Sequence, residues 1–424
     1  MKKVYPYTRI VIIYIVKKIL KIHLIIGIWG IDTGFSKMYN LIILKKSKRR
    51  KFMKKLVAFI LCMALVITCV ACFAACNDTA KTYEIAVVTD VGQLMDGGFN
   101  QGTYEGAKAY AEAHGLSYQY YQPANGADAT DNDRIAAMRQ AIKNGAKVIV
   151  APGFLQATAM TTVATESPEV KFIFVDGWAL SDANDQPLKN VTAVVYKEEE
   201  SGYMAGYAAV KEGYTKLGGT FGGGGTNPAC NRFAYGYAQG IAAAAEELGK
   251  DVELKLSYKF GAGFGASVEL QTQISGWYTA GTEVVFACGG SMFQSVKSAA
   301  EATTNGKIIG VDVDQAPLSD RVITSAVKGL SVSVQKILGE FYNGEWDTKL
   351  AAKASNLGAA DDATGLPTAT WRMSNFTVEN YNTLFAAVKG GTVSIKNNIA
   401  ENCDNQEFWT TNITSAKVTI TLDK

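Results

Sequence analysis

Histidine is nearly absent from this 424-residue sequence, which contains only His23 and His114. A triad built on histidine or a histidine-ligated metal site is therefore nearly excluded. Neither the GxSxG nor the GxxxxGK[ST] motif occurs. Beyond the first 76 residues, the three cysteines Cys230, Cys288 and Cys403 are far apart and odd in number, so they predict no disulfide framework. We expect no metal, no cofactor and no catalytic residues, and binding is favoured over an enzyme.

Negative charge is scarce at the start of the chain and abundant afterwards. Residues 1–55 hold 15 of the 42 Lys and Arg but only one acid, Asp32. The rest of the chain therefore carries a net charge of about −11, although the whole chain is formally at +3. An acidic globular part argues against nucleic acid as a partner. The basic start is typical of a leader held on the cytoplasmic side of a membrane.

Residues 53–75 have the order of a secretory signal peptide. Lys54 and Lys55 precede an apolar run over 56–75, which ends in small residues before Cys76. This end resembles the lipobox of bacterial lipoproteins. We therefore expect Cys76 to carry a lipid such as palmitate, which anchors the protein to the extracytoplasmic face of the cell membrane. Cys72 is the alternative lipidation site. An uncleaved membrane anchor is the alternative structure, because the run is long enough to span a bilayer.

Residues 1–52 are apolar and basic, and they precede a signal that is already complete. We expect translation to begin at Met53, with the upstream segment assigned by an early start codon. A true extra membrane segment is the alternative, although Lys17, Lys18 and Lys21 interrupt it.

From Tyr83 onward, short β-rich apolar runs alternate with helical patterns, which is typical of parallel sheets covered by helices. The first predicted strands cover 84–88, 117–121, 147–151, 171–175 and 191–195, with helices near 100–114, 131–144, 155–165 and 199–211. The pattern then restarts with strands at 217–221, 252–258, 283–287, 307–311 and 321–325, and helices at 231–248, 266–279, 292–303 and 330–342.

The restart predicts two α/β lobes. We assign 83–196 to lobe 1, with a return segment near 312–328, and 197–310 to lobe 2, together with 330–395. Residues 397–424 form a C-terminal tail that ends in a strand near 416–422.

Ligands in such sheets lie beyond the carboxyl ends of the strands. Three of the predicted strand ends carry an aspartate, namely Asp90, Asp176 and Asp312. Each could instead cap a helix or stabilise a turn. The glycine run 222–225 invites a dinucleotide interpretation, but Asn227 stands where GxGxxG needs its third glycine, so a flexible turn is favoured.

The segment 90–106 follows the first strand and opens the first helix, with Phe99 and Asn100 at the junction. In the absence of a ligand role, Asn100 would be an N-cap and Phe99 a staple residue. The segment resembles the basic membrane protein family of substrate-binding lipoproteins, which serve ABC-type nucleoside importers. The similarity to this family continues in the order and spacing of later residues, over about 83–395. It includes residues 151–154, Pro168 and the glycine run.

The resemblance implies a type I periplasmic-binding-protein fold and a purine nucleoside held between two aromatic rings. Phe99 and Phe264 would sandwich the base, and Asn100 would contact its edge. Asp90, Asp176 and Asp312 would be polar contacts, with Lys328 and the Gly290 backbone near the ribose. Aromatic stacking suits the flat base, and carboxylates accept strongly from hydroxyls. The implied partner is an ABC permease in the membrane, and we expect a monomer.

The sequence departs from the family around Phe264, where the usual following acid is missing and Phe260 is a rival for stacking. A sugar or another small metabolite is the alternative ligand. A surface sensor or antigen without a transporter, and a carboxylate-based hydrolase, are the alternatives from other classes.

Overall fold

The computed structural model describes residues 82–90, 93–399 and 403–424. The leader, with Cys72, Cys76 and the expected start at Met53, lies outside the described residues. None of the helices within these ranges is long and apolar enough to cross a bilayer.

The predicted alternation of strands and helices is confirmed. The strands are β1 Ile85–Val88, β2 Tyr118–Tyr121, β3 Val148–Pro152, β4 Lys171–Val175, β5 Val191–Tyr196, β6 Lys216–Phe221, β7 Val252–Ser257, β8 Val284–Cys288, β9 Lys307–Asp312, β10 Val322–Lys328, β11 Ala354–Leu357, β12 Thr364–Gly365 and β13 Val418–Leu422. The α-helices are α1 Phe99–His114, α2 Asp131–Lys143, α3 Ala157–Glu166, α4 Glu198–Glu212, α5 Pro228–Leu248, α6 Val268–Thr279, α7 Met292–Glu301, α8 Leu330–Tyr342, α9 Val378–Lys389 and α10 Gln406–Asn412.

The strands form two separate sheets, one in each lobe. The first is parallel, with the order β11-β5-β4-β3-β1-β2. The second has the order β12-β10-β9-β8-β6-β7-β13 and is parallel except for β12. The expected fold class, two α/β lobes with mostly parallel sheets, is confirmed.

Helices cover both faces of each sheet, because the central strands are apolar on both sides. In β1, Ile85 and Val87 pack with α1 and α8, whereas Ala86 and Val88 face α2 and α3. In the second lobe, α4, α5 and α9 cover one face and α6 and α7 cover the other.

The crossings between lobes differ from the expected boundaries. The segment 312–328 does not return to lobe 1, because β9 pairs with β8 and β10 pairs with β9 in the second sheet. The return comes later, where α8 packs on the first core and β11 pairs with β5. Residues 330–357 therefore belong to the first lobe rather than the second. The apolar pattern predicts β9 and β10 but does not specify their sheet, and β11 is polar, which explains the error.

The tail contributes to the second lobe. The expected strand near 416–422 is confirmed as β13, which pairs in parallel with β7. The tail also supplies Trp409, which is fully buried in the second core.

Helices α4 and α5 pack unusually closely, which brings their first turns together. A Cβ atom on Gly236 would lie 2.0 Å from the main-chain oxygen of Glu199, and one on Gly202 would lie 2.2 Å from that of Phe233. Only glycine permits this approach. As a result, Glu198 at the start of α4 lies beside Arg232 near the start of α5.

Candidate ligand-binding site

A cavity of about 820 Å³ lies between the lobes, at the carboxyl ends of the strands. The structure brings all of the predicted site residues together in its wall: Asp90, Phe99, Asn100, Asp176, Phe264, Gly290, Asp312 and Lys328. This volume suits a small-molecule ligand.

Two of the strand-end aspartates adopt left-handed backbone conformations. The φ angle is +58° at Asp176 and +68° at Asp312. Asp and Asn tolerate this region better than other residues with a Cβ atom. Each carboxylate contacts Lys328, whose strand is paired with that of Asp312 in the second sheet.

Lys328, at the end of β10, is the centre of a buried charge cluster. Its Nζ lies 2.5 Å from Asp176 Oδ2, 3.4 Å from Asp312 Oδ1 and 3.5 Å from Glu198 Oε1. Only 2% of the lysine side chain is exposed. Burial alone would lower its pKa, but the surrounding carboxylates raise the pKa of Lys328 well above its ordinary value. The lysine is therefore charged, as a buried ion pair requires.

Two carboxylates of the cluster, Asp176 and Asp312, have raised pKa values. Burial raises the pKa of Asp176 to about 6, although the charge of Lys328 opposes the shift. Burial also raises the pKa of Asp312, again against the attraction of Lys328. Hydrogen-bond donors from a ligand would stabilise the ionised forms of both groups.

Sequence analysis missed Glu198 and Arg232, which complete the cluster. Glu198 is fully buried and accepts a hydrogen bond of 2.6 Å from Arg232 Nε, while its other oxygen faces Lys328. Arg232 lines the cavity. In the sequence, Glu198 begins a run of three glutamates that is typical of a solvated helix start, so the only signal was its position shortly after a strand.

On the first lobe, Asn100 and Asp90 are joined. Asn100 Nδ2 donates to Asp90 Oδ1 at 3.2 Å, and the Asp90 side chain packs where Gly153 leaves room for it. The N-cap interpretation of Asn100 is wrong, because Gly98 is the N-cap of α1. Asp96 accepts from the main-chain amides of Gly98, Asn100 and Gln101, so the Asn100 side chain is available to the cavity.

Aromatic rings line the cavity from both lobes. Phe99 comes from the first lobe, and its ring centroid lies 4.7 Å from Lys328 Nζ. Phe264 comes from the second lobe. Its ring packs edge to face on that of Phe154 from the first lobe, with the ring centroids 6.5 Å apart. Phe260 is 40% exposed and is not among the residues that line the cavity.

Two acceptor atoms in the cavity wall have no hydrogen-bond partner in the described part of the chain. They are Asn100 Oδ1 and Asp176 Oδ1, and both are buried. Because an unsatisfied buried acceptor costs free energy, the site favours a ligand that supplies hydrogen-bond donors.

Among the described residues, no group of His, Cys, Asp and Glu side chains is arranged to hold a metal ion. Cys288 lines the cavity, but burial raises the pKa of its thiol well above the ordinary value. A thiol in this state is a poor nucleophile.

Two parallel-sheet lobes around a ligand-sized cavity define a type I periplasmic-binding-protein-like protein. A solved ABC transporter solute-binding protein from Aeropyrum pernix K1 shares this fold with a TM-score of 0.57 and 22% identity, covering 80% of this chain and 87% of that one. Residues 83–390 match the Bmp family, described as ABC transporter substrate-binding protein PnrA-like, and the chain belongs to that family.

Curated relatives agree with this assignment. The chain is 29% identical over 314 residues to the ABC transporter nucleoside-binding protein BmpA of Lactococcus lactis subsp. cremoris, covering 67% of this chain and 84% of that protein. It is also 29% identical over 233 residues to basic membrane protein B of Borreliella burgdorferi, covering 54% of this chain and 64% of that protein. The resemblance inferred from the sequence is confirmed, and the protein is an ABC transporter substrate-binding protein.

Proposed function

We propose that this protein binds a purine nucleoside between its lobes and delivers it to an ABC-type importer, without chemistry on the ligand. The observation that supports this most directly is that Phe99 and Phe264, on opposite lobes, line one cavity together with buried acceptors.

The aromatic rings favour a flat ligand. A purine base presents two apolar faces, and stacking on an aromatic side chain contributes roughly 1–3 kcal/mol per base. Phe99 and Phe264 occupy the wall on different lobes, so a base between them would contact both. The relative from Lactococcus lactis is named as a nucleoside-binding protein, which agrees with this ligand class.

The acids favour the sugar part of a nucleoside. Ribose hydroxyls are donors, and Asp176 and Asp312 lie beside Lys328 as buried acceptors. Asn100 Oδ1 would accept from the base edge. In this proposal Asp90 orients Asn100, and the backbone of Gly290 adjoins the ribose.

Titration calorimetry of the protein with guanosine, inosine, adenosine and ribose tests the ligand class. We expect at least one purine nucleoside to bind and ribose alone not to bind, because ribose has no face to stack. Binding of ribose or another free sugar with equal affinity would favour the sugar alternative. Native mass spectrometry of the purified protein would identify a ligand carried from the cell and would also test the expected monomer.

We also propose that the protein is anchored through a lipid on Cys76, where it can meet its permease. The support is the apolar run that ends in Ala75 before this cysteine. A tagged fatty acid fed to cells should label the wild type but not Cys76→Ser, with Cys72→Ser as the matched control. Labelling that is lost only in Cys72→Ser would move the lipid to that residue.

A further inference from the structure

The C-terminal tail reaches the loop that carries Phe264, although the tail follows residue 390, where the family match ends. Strand β13 runs beside β7, and β7 leads directly into the loop 258–266. Immediately after β13, the main-chain amide of Asp423 donates to the oxygen of Leu256 at 2.7 Å. The tail therefore extends the sheet edge as far as the start of this loop.

Ser257 connects the tail to the loop. Its fully buried hydroxyl donates to the main-chain oxygen of Asp423 at 2.8 Å and accepts from the amide of Lys259 at 3.1 Å. It also accepts from Gln273 Nε2 at 3.1 Å. A single hydroxyl thus holds the first turn of the loop against both the tail and α6.

The side chain of Asp423 provides a second connection. Its Oδ2 accepts a hydrogen bond of 2.6 Å from the indole of Trp277, which is buried in α6. This contact ties the end of the tail to the helix that follows the loop. Asp423 therefore contacts the strand before the loop through Ser257 and the helix after the loop through Trp277, near the carboxyl end of that helix.

A third connection passes through the glycine run. The amide of Cys403 donates to the oxygen of Gly225, and the amide of Gly223 donates to the oxygen of Gly261 within the loop. Gly222 packs against Phe264 so closely that an added Cβ atom would lie 2.4 Å from the ring. The indole of Trp409, which is fully buried, donates to the main-chain oxygen of Cys403 at 2.9 Å.

We propose that residues 403–424 are a positioning element of the binding site, which holds the loop 258–266 so that Phe264 faces the cavity. Ser257 and Asp423 are the positioning residues, and neither contacts the cavity. The effect on ligand affinity rests on the proposed function, whereas the order of the loop does not.

The test compares Ser257→Ala with Ser415→Ala in the full chain. Ser415 is a matched control, because its hydroxyl also donates to an acceptor, Glu246, and also accepts from the amide two residues later, but away from the loop. Hydrogen exchange of the amides in 258–266 is measured by mass spectrometry. We expect at least about tenfold faster exchange in Ser257→Ala, because the substitution removes all three hydrogen bonds of this hydroxyl, and no change in Ser415→Ala.

Affinity for guanosine is measured on the same variants. We expect Ser257→Ala to bind about fivefold to tenfold more weakly, because an unrestrained ring must be ordered on binding. Wild-type exchange in Ser257→Ala, or equal acceleration in Ser415→Ala, would overturn the proposal. If the wild type binds no nucleoside, the proposed function fails, yet the exchange comparison still decides this inference.

Asp423 supplies an independent pair of variants, should Ser257→Ala fold poorly. Asp423→Asn keeps an oxygen that can accept from the Trp277 indole, whereas Asp423→Ala does not. We expect the amides of the loop to exchange at nearly the wild-type rate in Asp423→Asn and about tenfold faster in Asp423→Ala. Equal acceleration by Asn and Ala, or none by Ala, would contradict the assigned contact.

Discussion

Lys328 of the second lobe donates a hydrogen bond of 2.5 Å to Asp176 of the first, so one buried ion pair joins the lobes beside the cavity. The same ammonium group also lies close to the carboxylates of Asp312 and Glu198. The contact between the lobes thus involves a few charged side chains, and it can be tested by single substitutions.

Replacing Lys328 by Met should lower the free energy of unfolding by about 3–5 kcal/mol, because it leaves buried carboxylates without their cation. Lys389→Met is the control, since its pair with Asp362 is solvent-exposed. That substitution should cost about 1 kcal/mol or less. Urea unfolding of both variants measures the difference, and similar losses would contradict the role of Lys328.

Two aspartates near helix starts should give opposite pH dependence. Burial raises the pKa of Asp96 to about 6, above its ordinary 3.8, so the folded state holds a proton that the unfolded chain releases between these values. The free energy of unfolding therefore falls as pH rises through this window, by about 3 kcal/mol for this group. Asp96→Asn should remove that fall from a series of urea melts between pH 3.5 and 7.

Asp133 should contribute a pH dependence of stability opposite to that of Asp96. The amide and hydroxyl of Thr130 hold its pKa below 3.8, so its contribution to stability is present above this value and is lost as pH falls through the lowered pKa. Asp133→Asn should therefore flatten only the acidic end of the profile. A shared pH dependence in the two variants would show that burial does not govern Asp96.

Phe264→Ala should weaken nucleoside binding on the order of tenfold to a hundredfold, as expected for the loss of one stacked ring. Phe260→Ala is an unusually close control, because both residues have left-handed φ angles, +58° at Phe264 and +62° at Phe260. Each substitution thus keeps a similar backbone strain. Calorimetry should show near-wild-type affinity for Phe260→Ala, and the reverse order of effects would move the stacking role to Phe260.

Glu198→Gln should shift the titration of Asp176. The charge of Glu198 is one of the factors that raise the pKa of Asp176, so an uncharged isostere should lower it toward the ordinary value. Glu199→Gln is the neighbouring control, because Glu199 is not among the largest causes of the Asp176 shift. Carboxyl-detected NMR titration of the variants separates the two outcomes, and an unchanged pKa in Glu198→Gln would argue against direct coupling.

Local patterns predicted much of this molecule. Apolar runs such as 172–175 identified the buried strands, and the rule that ligands lie beyond strand ends located Asp176 and Asp312. The resemblance around Phe99 then supplied the ligand class as a hypothesis. These signals are local in sequence, so they can be recognised without knowledge of the tertiary packing.

Other features depend on packing between distant segments. Strand β11 has the sequence Ala-Ser-Asn-Leu, which is polar and largely exposed, and only its pairing with β5 makes it a strand. Arg232 lies on a helix that is otherwise rich in alanine and glycine, and its partner Glu198 is 34 residues away. No local pattern could have identified either pairing.

The late arrival of β11 has a consequence for how the polypeptide folds as it is made. Synthesis proceeds from the N-terminus, and upstream segments generally fold first. Here β5, a hydrophobic strand, remains an uncovered edge until residues 354–357 exist to pair with it. Such an edge favours association with other chains. Residues 83–196 therefore cannot complete the first sheet alone, and nascent chains that stop before residue 354 should need a chaperone to stay soluble.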